Sequence, residues 1–267
     1  MKTLATHHNP HLDDVCGIWL LNRFHPTYKR AKVAFVNQAA KIDEEKYIGI
    51  GIGRGKFDEH KGDLNDCAST LVYKEVKKQI SSALTKKALE LLVSYVNKED
   101  HASFMGKEAH IFTPPFVLLG HSFKKNSSNK VLLLGFEMLD ALFEVCVQYA
   151  QLEKDASKAK TFETKWGKGI GLETTVQSSI VGEWAYAQGV VLYAVVNKRT
   201  KYRLIKAVPS SKEINLTESF AKATKKEPKS SWFLHHSNRM LLCGSDVAKN
   251  HTFSKMNIQT LISLVSV

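Results

Sequence analysis

The chain has few cysteines, no long apolar run and fewer acidic than basic residues. Its four cysteines are widely separated and form no Cys-x-x-Cys pair, which argues against a structural zinc site and favours reduced, buried thiols. No stretch approaches the ~20 consecutive apolar residues of a membrane span, and the N-terminus lacks the apolar core of a secretory signal. We therefore expect a soluble, cytoplasmic protein without a membrane partner.

The shortage of acidic residues leaves a strongly basic protein. There are 38 Lys and Arg against 26 Asp and Glu, a net charge of +12. A basic surface attracts polyanions in a salt-dependent way. The lysines occur as scattered pairs and not in one tail, so an ordinary lysine-rich surface explains the charge equally well.

The hydrophobic pattern differs between the two halves of the 267 residues. It predicts first-half strands at 1–5, 31–36 and 47–52 and helices at about 12–24, 66–80, 84–96 and 131–159. In the second half it predicts a loop or edge strand at 160–171, a helix or strand at 176–187, paired strands at 190–196 and 202–208, and a helix from about 254. The expected fold class is α/β, with a parallel-sheet domain over 1–155 and a smaller domain with antiparallel strands over 156–267.

Two histidine–carboxylate clusters lie in the first quarter of the chain. Residues 6–14 read THHNPHLDD and residues 58–60 read DEH, and each cluster follows a predicted strand. A third acidic–imidazole group, residues 97–101, ends a predicted helix. Because ligands collect at the carboxyl ends of strands in open α/β sheets, we expect these loops to converge on one point.

Imidazoles mixed with carboxylates are typical of a divalent metal centre that carries out hydrolysis. The predicted metal ligands are His7, His11, Asp13, Glu59 and Asp100, and Asp58 and His60 are expected to complete the metal shell from the second loop. This ligand mixture suits Mn²⁺ best, with Mg²⁺ or Zn²⁺ as alternatives. The plainer alternative is that the histidines are surface residues and that Asp13 and Asp14 complement a helix dipole.

Basic and imidazole side chains outside these ligands form the predicted substrate-binding set. It contains Arg54, Lys61, His235, His236 and Arg239. A guanidinium beside imidazoles suits contact with a phosphate or carboxylate. A solvated surface turn is the alternative for the last three residues.

Several segments, in the same order, resemble motifs of the melanocyte-proliferating-gene (Myg) family, which is related to the DHH phosphoesterases. Residues 6–15 resemble the opening motif of that family, and residues 57–61 (FDEHK) stand where it has Tyr/Phe-Asp-His-His-Gln. The remaining similar segments are 67–73 (CASTLVY), 202–209 (YRLIKAVP) and 233–241 (FLHHSNRML). The matches run through nearly the whole chain.

This resemblance implies a metal-dependent phosphodiesterase with its cleft between two subdomains. It implies a hydrolase acting on RNA or short oligonucleotides, expected to be a 3'–5' exonuclease that uses paired Mn²⁺. In this family pattern His60 contacts the scissile phosphate, so His60 and Asp58 are the predicted catalytic residues, and Glu59 replaces a ligand histidine. The pattern also makes Asp100 a late bridging ligand and turns His236 and Arg239 toward the substrate.

One departure from the family keeps a second function open. The family has an aspartate near the end of the third strand, whereas residues 48–52 (IGIGI) contain no acid. The alternative is therefore a non-catalytic protein that binds nucleic acid or nucleotides after losing a bridging metal ligand. A small-molecule phosphohydrolase is a third hypothesis, and a homodimer is compatible with the sequence.

Overall fold

A computed structural model describes residues 2–37, 41–60, 65–101, 127–244 and 251–267. The chain divides into two compact units, an N-terminal unit of residues 1–147 and a C-terminal unit of residues 148–267. The expected α/β fold class is confirmed, because one unit contains a parallel sheet and the other a mostly antiparallel sheet. Among the described residues, no helix is both long enough and apolar enough to span a bilayer.

The N-terminal unit is organised around a three-stranded parallel sheet in the order β2-β1-β3. Its strands are β1 (Thr3–His7), β2 (Val33–Val36) and β3 (Tyr47–Gly49). In register, His7 pairs with Val36 and Ala5 pairs with Gly49. The carboxyl ends of all three strands therefore lie at one edge, where His7 ends the central strand.

Four helices of the N-terminal unit follow the predicted order; the first has the predicted bounds and the other three have shifted ends. They are α1 (Leu12–Phe24), α2 (Ala68–Val76), α3 (Ala83–Asp100) and α4 (Ser128–Ala156), the last of which runs across the division between the units. A short 3₁₀ turn, Lys77–Gln79, follows α2. Helix α1 buries the side chains of Ile18, Trp19 and Leu20, and its first turn begins directly after the edge where β1 ends.

The third strand is shorter than the predicted run of residues 47–52. It ends at Gly49, and the backbone φ angles of Gly51 and Gly53 are +63° and +78°. These left-handed conformations are incompatible with an extended strand and favour glycine. Ile50 still makes an isolated parallel bridge to Phe57, which holds the following turn against the sheet.

The C-terminal unit contains a six-stranded sheet in the order β4-β5-β6-β7-β9-β8. Its strands are β4 (Lys160–Thr164), β5 (Gly167–Thr174), β6 (Leu192–Asn197), β7 (Arg203–Ala207), β8 (Trp232–Leu234) and β9 (Met240–Cys243). The predicted antiparallel pairing of the segments at 190–196 and 202–208 is confirmed by β6 and β7. Strands β5 and β6 pair in parallel, and all other neighbours are antiparallel.

Each face of this sheet carries its own apolar core. One core contains Leu192 and Leu241, and the other contains Tyr193 and Leu204. The helices of this unit are α5 (Ser178–Ala187), α6 (Thr217–Lys226) and α7 (Ile258–Ile262). The C-terminal helix begins later than predicted because the Asn257 side chain caps it by accepting a hydrogen bond from the Thr260 amide.

Candidate metal centre

The first donor group lies where β1 gives way to α1. It consists of His7, His11 and Asp14, whose ligand atoms lie within 4.8 Å of one another. Asp14 Oδ2 is 2.9 Å from His7 Nε2 and also accepts a hydrogen bond of 2.9 Å from the His11 amide. The hydrogen bond with Asp14 raises the pKa of His7 although burial acts in the opposite direction. The start of α1 therefore fixes a carboxylate against the strand-end histidine.

The second donor group, Asp58, Glu59 and His60, follows the turn after β3. Asp58 is 3% exposed, and its carboxylate accepts hydrogen bonds from the amides of Arg54 (2.6 Å) and His60 (3.1 Å). His60 Nδ1 lies 2.8 Å from Asp58 Oδ1, while the His60 side chain is 61% exposed. A buried carboxylate thus orients an imidazole that faces solvent.

The two members of this pair stabilise each other's charged forms. The hydrogen bond with Asp58 raises the pKa of His60 above its usual value. Burial acts to raise the pKa of Asp58, but hydrogen bonds from His60 and from backbone amides outweigh burial and lower it. The pair therefore favours a protonated His60 beside an ionised Asp58.

The third donor group joins three separate helices. Asp13 lies in the first turn of α1, Cys67 directly precedes α2, and Asp100 ends α3. One carboxylate oxygen of each aspartate and the Cys67 Sγ lie within 4.8 Å of one another. Asp13 and Cys67 are buried, whereas Asp100 is exposed. The Ala68 amide donates a 3.4 Å hydrogen bond to Asp13 Oδ2, which links α2 to this aspartate.

The three donor groups influence one another electrostatically. Burial raises the pKa of Asp13 well above its usual value, and the negative charges of Asp14, Asp100 and Glu59 raise it further. Burial likewise raises the pKa of Glu59, with added contributions from Asp14 and Asp58. A cation bound near Asp13 would reduce this repulsion between negative charges, most strongly for the buried carboxylates.

Two further observations test whether the donors fit a divalent cation. Glu59 Oε2 is a buried oxygen with no hydrogen-bond partner among the described residues. A Cβ placed on Gly51 would lie only 1.9 Å from Asp14 Oδ1, so the glycine leaves the space that this carboxylate occupies. A divalent metal fits these residues for three reasons. One buried carboxylate oxygen has no hydrogen-bond partner among the described residues, Gly51 leaves space for the Asp14 carboxylate, and the donors combine imidazole, carboxylate and thiol groups.

Sequence reasoning missed two members of the donor groups. The sequence places Asp14 in the first cluster and at the helix dipole but not among the predicted ligands, although its position three residues after His11 places it one turn along α1. The sequence predicts Cys67 to be a buried filler, and all four cysteines are free and buried. No linear spacing indicates the role of Cys67, because its neighbours Asp13 and Asp100 come from distant parts of the chain. The roles assigned to the other predicted ligands stay predictions.

The predicted substrate-binding residues do not form one group. The Arg54 side chain is exposed beside the second donor group, and Lys61 lies outside the described residues. His235 and His236 lie with ring centroids 3.9 Å apart in the C-terminal unit, and His235 Nδ1 is 2.9 Å from Ser237 Oγ. These histidines stay predicted substrate contacts.

Part of the Arg239 guanidinium is hydrogen-bonded to the backbone of its own unit. Its Nη2 donates hydrogen bonds to the carbonyl oxygens of Val208 (2.7 Å) and Pro209 (3.2 Å). Its Nε is buried and has no partner among the described residues. The guanidinium therefore fixes the loop after β7, and contact with substrate stays a prediction for its remaining donors.

Comparison with known proteins does not identify the chain. No protein-family model matches it, and no curated protein matches it. A solved structure described as the DHH domain of a member of the S1p family of ribosomal proteins aligns with 91% of this chain and 82% of its own length, at 9% identity and a TM-score of 0.34. A TM-score this low carries no argument about fold or function, so the resemblance to the Myg family stays a prediction.

Proposed function

We propose that this protein is a divalent-metal-dependent phosphodiesterase that acts on RNA or short oligonucleotides, in the form of a 3'–5' exonuclease. The observation that carries the proposal is the presence of three donor groups in the N-terminal unit, whose carboxylates act on one another electrostatically: Asp14, Asp100 and Glu59 each raise the pKa of Asp13. Imidazole and carboxylate donors of this kind suit a divalent cation, and the first of these groups lies at the carboxyl end of β1, where open α/β sheets bind ligands.

The proposed ligands come from all three donor groups. They are His7, His11, Asp13, Asp14, Glu59 and Asp100. A divalent ion held there supplies Lewis-acid activation of a phosphoryl oxygen and of the attacking water. The Gly51 cradle supports a role for Asp14 as the acid that the third strand lacks, because the Asp14 carboxylate lies against that segment.

Asp58 and His60 are the proposed proton-handling pair. Asp58 accepts from His60 Nδ1 at 2.8 Å, so the ring presents Nε2 to solvent. A protonated imidazole held in this way can donate to a phosphate oxygen or to a leaving-group oxygen. Because Asp58 is buried and accepts two backbone amides as well, it orients the imidazole and stays ionised.

The C-terminal unit is proposed to bind the substrate backbone. Residues 148–267 contain 18 Lys and Arg against nine Asp and Glu, a net charge of +9, whereas residues 1–147 contain 20 against 17. Concentrated positive charge attracts phosphodiester chains in a salt-dependent way. His235, His236 and Arg239 are the proposed contacts, with Arg54 and Lys61 from the other unit.

The second candidate is a nucleic-acid-binding protein without turnover. The observation that favours it is the absence of an acid in residues 48–52, where the Myg pattern places a bridging ligand. This candidate predicts salt-sensitive RNA binding that is unaffected by metal. It shares the basic C-terminal unit with the first proposal, so metal-dependent turnover is the property that separates the two.

A cleavage assay with single-stranded RNA tests the proposal. RNA labelled at the 5' end is incubated with protein and with Mn²⁺, Mg²⁺, Zn²⁺ or Co²⁺, and the same experiment is run with 3'-labelled RNA. We expect metal-dependent shortening from the 3' end, and no shortening by the variant Asp13→Asn. Folded protein that binds RNA but cleaves nothing with any metal would establish the second candidate instead. Mononucleotide and dinucleotide substrates identify a small-molecule phosphohydrolase.

A further inference from the structure

Cys67 occupies an unusual place for a buried cysteine. It is fully buried, yet its Sγ belongs to a donor group with two carboxylates, Asp13 and Asp100. The other cysteines, Cys16, Cys146 and Cys243, are also free and buried, but none belongs to a donor group among the described residues. Burial alone therefore does not account for the surroundings of Cys67.

The local backbone holds this thiol in place. The Cys67 amide donates a 3.0 Å hydrogen bond to Thr70 Oγ1, and its Sγ lies 3.1 Å from Ser69 Oγ. The next amide, that of Ala68, donates to Asp13 Oδ2. The start of α2 thus fixes the sulfur and the Asp13 carboxylate relative to each other before any ion binds.

We propose that Cys67 is a thiolate ligand of the metal centre, together with Asp13 and Asp100, and that the centre therefore prefers Zn²⁺ or Co²⁺ to Mn²⁺ or Mg²⁺. Thiolate is a soft donor that selects zinc-like ions over the hard cations that bind oxygen alone. The thiol loses its proton to solvent when the ion binds, so one proton is released for each sulfur ligand. This inference rests on the proposed metal centre but not on its phosphodiesterase activity.

A buried oxygen of Glu59 without a hydrogen-bond partner in the described part of the chain independently supports binding of a cation near these groups. Glu59 Oε2 is buried without a partner among the described residues, and the Glu59 charge acts on Asp13. A buried acceptor without a donor costs free energy unless a cation or a proton satisfies it. Glu59 belongs to the second donor group, and its charge raises the pKa of Asp13 in the third, so the two groups act on each other electrostatically.

Cobalt absorption provides a direct test on the full-length protein. Sulfur ligation to Co²⁺ produces a charge-transfer band in the near ultraviolet, which imidazole and carboxylate ligands do not produce. We expect the wild-type protein to develop this band as Co²⁺ is added, and Cys67→Ser to lose it. The matched control Cys146→Ser changes another buried thiol of the same unit outside any donor group, and it should keep the band at full strength.

Metal affinity measured by calorimetry distinguishes a wrong assignment of Cys67 from a wrong assignment of the whole metal centre. Cys67→Ser should still bind Co²⁺ through the remaining donors, while its preference for Zn²⁺ over Mn²⁺ falls by about tenfold or more. A wild-type protein that binds Co²⁺ without a charge-transfer band would refute the role of Cys67 and leave the proposed centre intact. A wild-type protein that binds none of these ions would refute both.

A measurement without any variant covers the case in which Cys67→Ser does not fold. Zinc X-ray absorption of the wild-type protein should show a sulfur neighbour at about 2.3 Å in addition to lighter nitrogen or oxygen neighbours. A zinc spectrum with only nitrogen and oxygen neighbours would contradict the proposal.

Discussion

The two units of this protein differ in net charge and in the distribution of possible metal ligands. The N-terminal unit is close to electrical neutrality, and all three donor groups found in the described part of the chain belong to it. The C-terminal unit carries three quarters of the net positive charge, +9 of +12. The proposed chemistry and the proposed attraction for RNA therefore reside in different parts of the chain.

The units also differ in what they bury. In the N-terminal unit Asp13, Asp14 and Asp58 are each at most 3% exposed. In the C-terminal unit the sheet buries apolar side chains on both faces, and most of its charged residues lie on the surface. Burying carboxylates near one another destabilises a fold without a cation. If the proposed centre binds a cation, bound metal should therefore stabilise the N-terminal unit through Asp13 and its neighbouring carboxylates, whereas the C-terminal unit has no comparable group among the described residues.

The largest expected effect comes from removing one charge of the donor groups. Asp13→Asn should lower metal-dependent turnover by about 10²–10³-fold, because a ligand to the proposed metal is lost. The same change should preserve or raise stability without metal, since Asp14, Asp100 and Glu59 no longer repel a fourth charge. Cleavage rates and melting temperatures measured with and without metal check both expectations.

The control for this variant is Glu137→Gln, which removes a negative charge from an exposed position of α4 in the same unit. It should change neither the rate nor the stability appreciably. Unchanged turnover in Asp13→Asn would show that the centre lies elsewhere.

The next effect concerns the cradle around Asp14. Gly51→Ala should destabilise the protein by about 2–4 kcal/mol, because the new Cβ meets Asp14 Oδ1 and the φ of +63° disfavours a side chain. Gly189→Ala is the matched control in the C-terminal unit, with a φ of +69° and no described atom within 4 Å of the new Cβ. It should cost only about 1 kcal/mol.

Urea unfolding of both glycine variants measures this difference. Equal losses would mean that backbone conformation alone determines the cost, and that Asp14 does not depend on the space beside Gly51.

A smaller effect tests whether RNA binding depends on the C-terminal unit and not on the unit that contains the proposed metal centre. Lys206 is exposed on β7, in register with Met240 beside the predicted contact Arg239. Lys206→Glu should weaken binding of single-stranded RNA by about tenfold and reduce the salt slope by about 0.7 for each lost phosphate contact. Lys29→Glu makes the same charge change at an exposed position of the N-terminal unit and should have much less effect.

Fluorescence anisotropy at several salt concentrations distinguishes the two lysine variants. Similar losses for both would show that RNA binding follows net charge and not the C-terminal surface.

The smallest expected effect is on the packing of α1 against α4. Asp140 accepts hydrogen bonds from Trp19 Nε1 (2.7 Å) and Arg23 Nε (3.0 Å). Asp140→Asn should cost about 1 kcal/mol at neutral pH, a modest value because the ion pair is partly exposed. Unfolding followed by tryptophan fluorescence measures it, with the exposed Glu144→Gln as the control.

The Asp140 contribution should also depend on pH. Burial raises the pKa of Asp140, but hydrogen bonds from Arg23 and Trp19 outweigh it, so the pKa lies below its usual value. A depressed carboxyl pKa adds stability above the usual value of 3.8, and this stability disappears as the pH falls through the folded-state value. The difference between wild type and Asp140→Asn should therefore vanish in strong acid, and a constant difference would contradict this assignment.

Much of the N-terminal unit follows from sequence because its signals are local. The run before His7 predicts a strand, and the spacing from Leu12 to Phe24 predicts the helix that the structure contains. The parallel arrangement of the strands, which the sequence predicts, places the ends of β1, β2 and β3 at one edge of the sheet. The third strand was predicted too long, because alternation of apolar residues and glycine does not reveal the positive φ angles of Gly51 and Gly53.

What the sequence did not predict depends on long-range contacts. The role of Cys67 depends on Asp13, 54 positions earlier in the chain, and on the end of α3. The parallel pairing of β5 with β6 and the helix α6 were also missed. The edge-strand prediction for residues 160–171 is confirmed by β4, which lies at the edge of the sheet, but the pairing of β4 with β5 was not predicted; there the ring of Phe162 packs against Gly169.

The metal content of the purified protein tests the central claim most directly. The wild-type protein and the double variant His7→Ala/Asp14→Asn are equilibrated with Mn²⁺ or Zn²⁺, freed of excess ion and analysed by elemental mass spectrometry, with His236→Ala as the control in the C-terminal unit. We predict at least one ion for each wild-type and control chain and a clear loss in the double variant. A wild-type protein without bound metal, or a double variant that retains all of it, would contradict the assignment of the metal centre to the N-terminal unit.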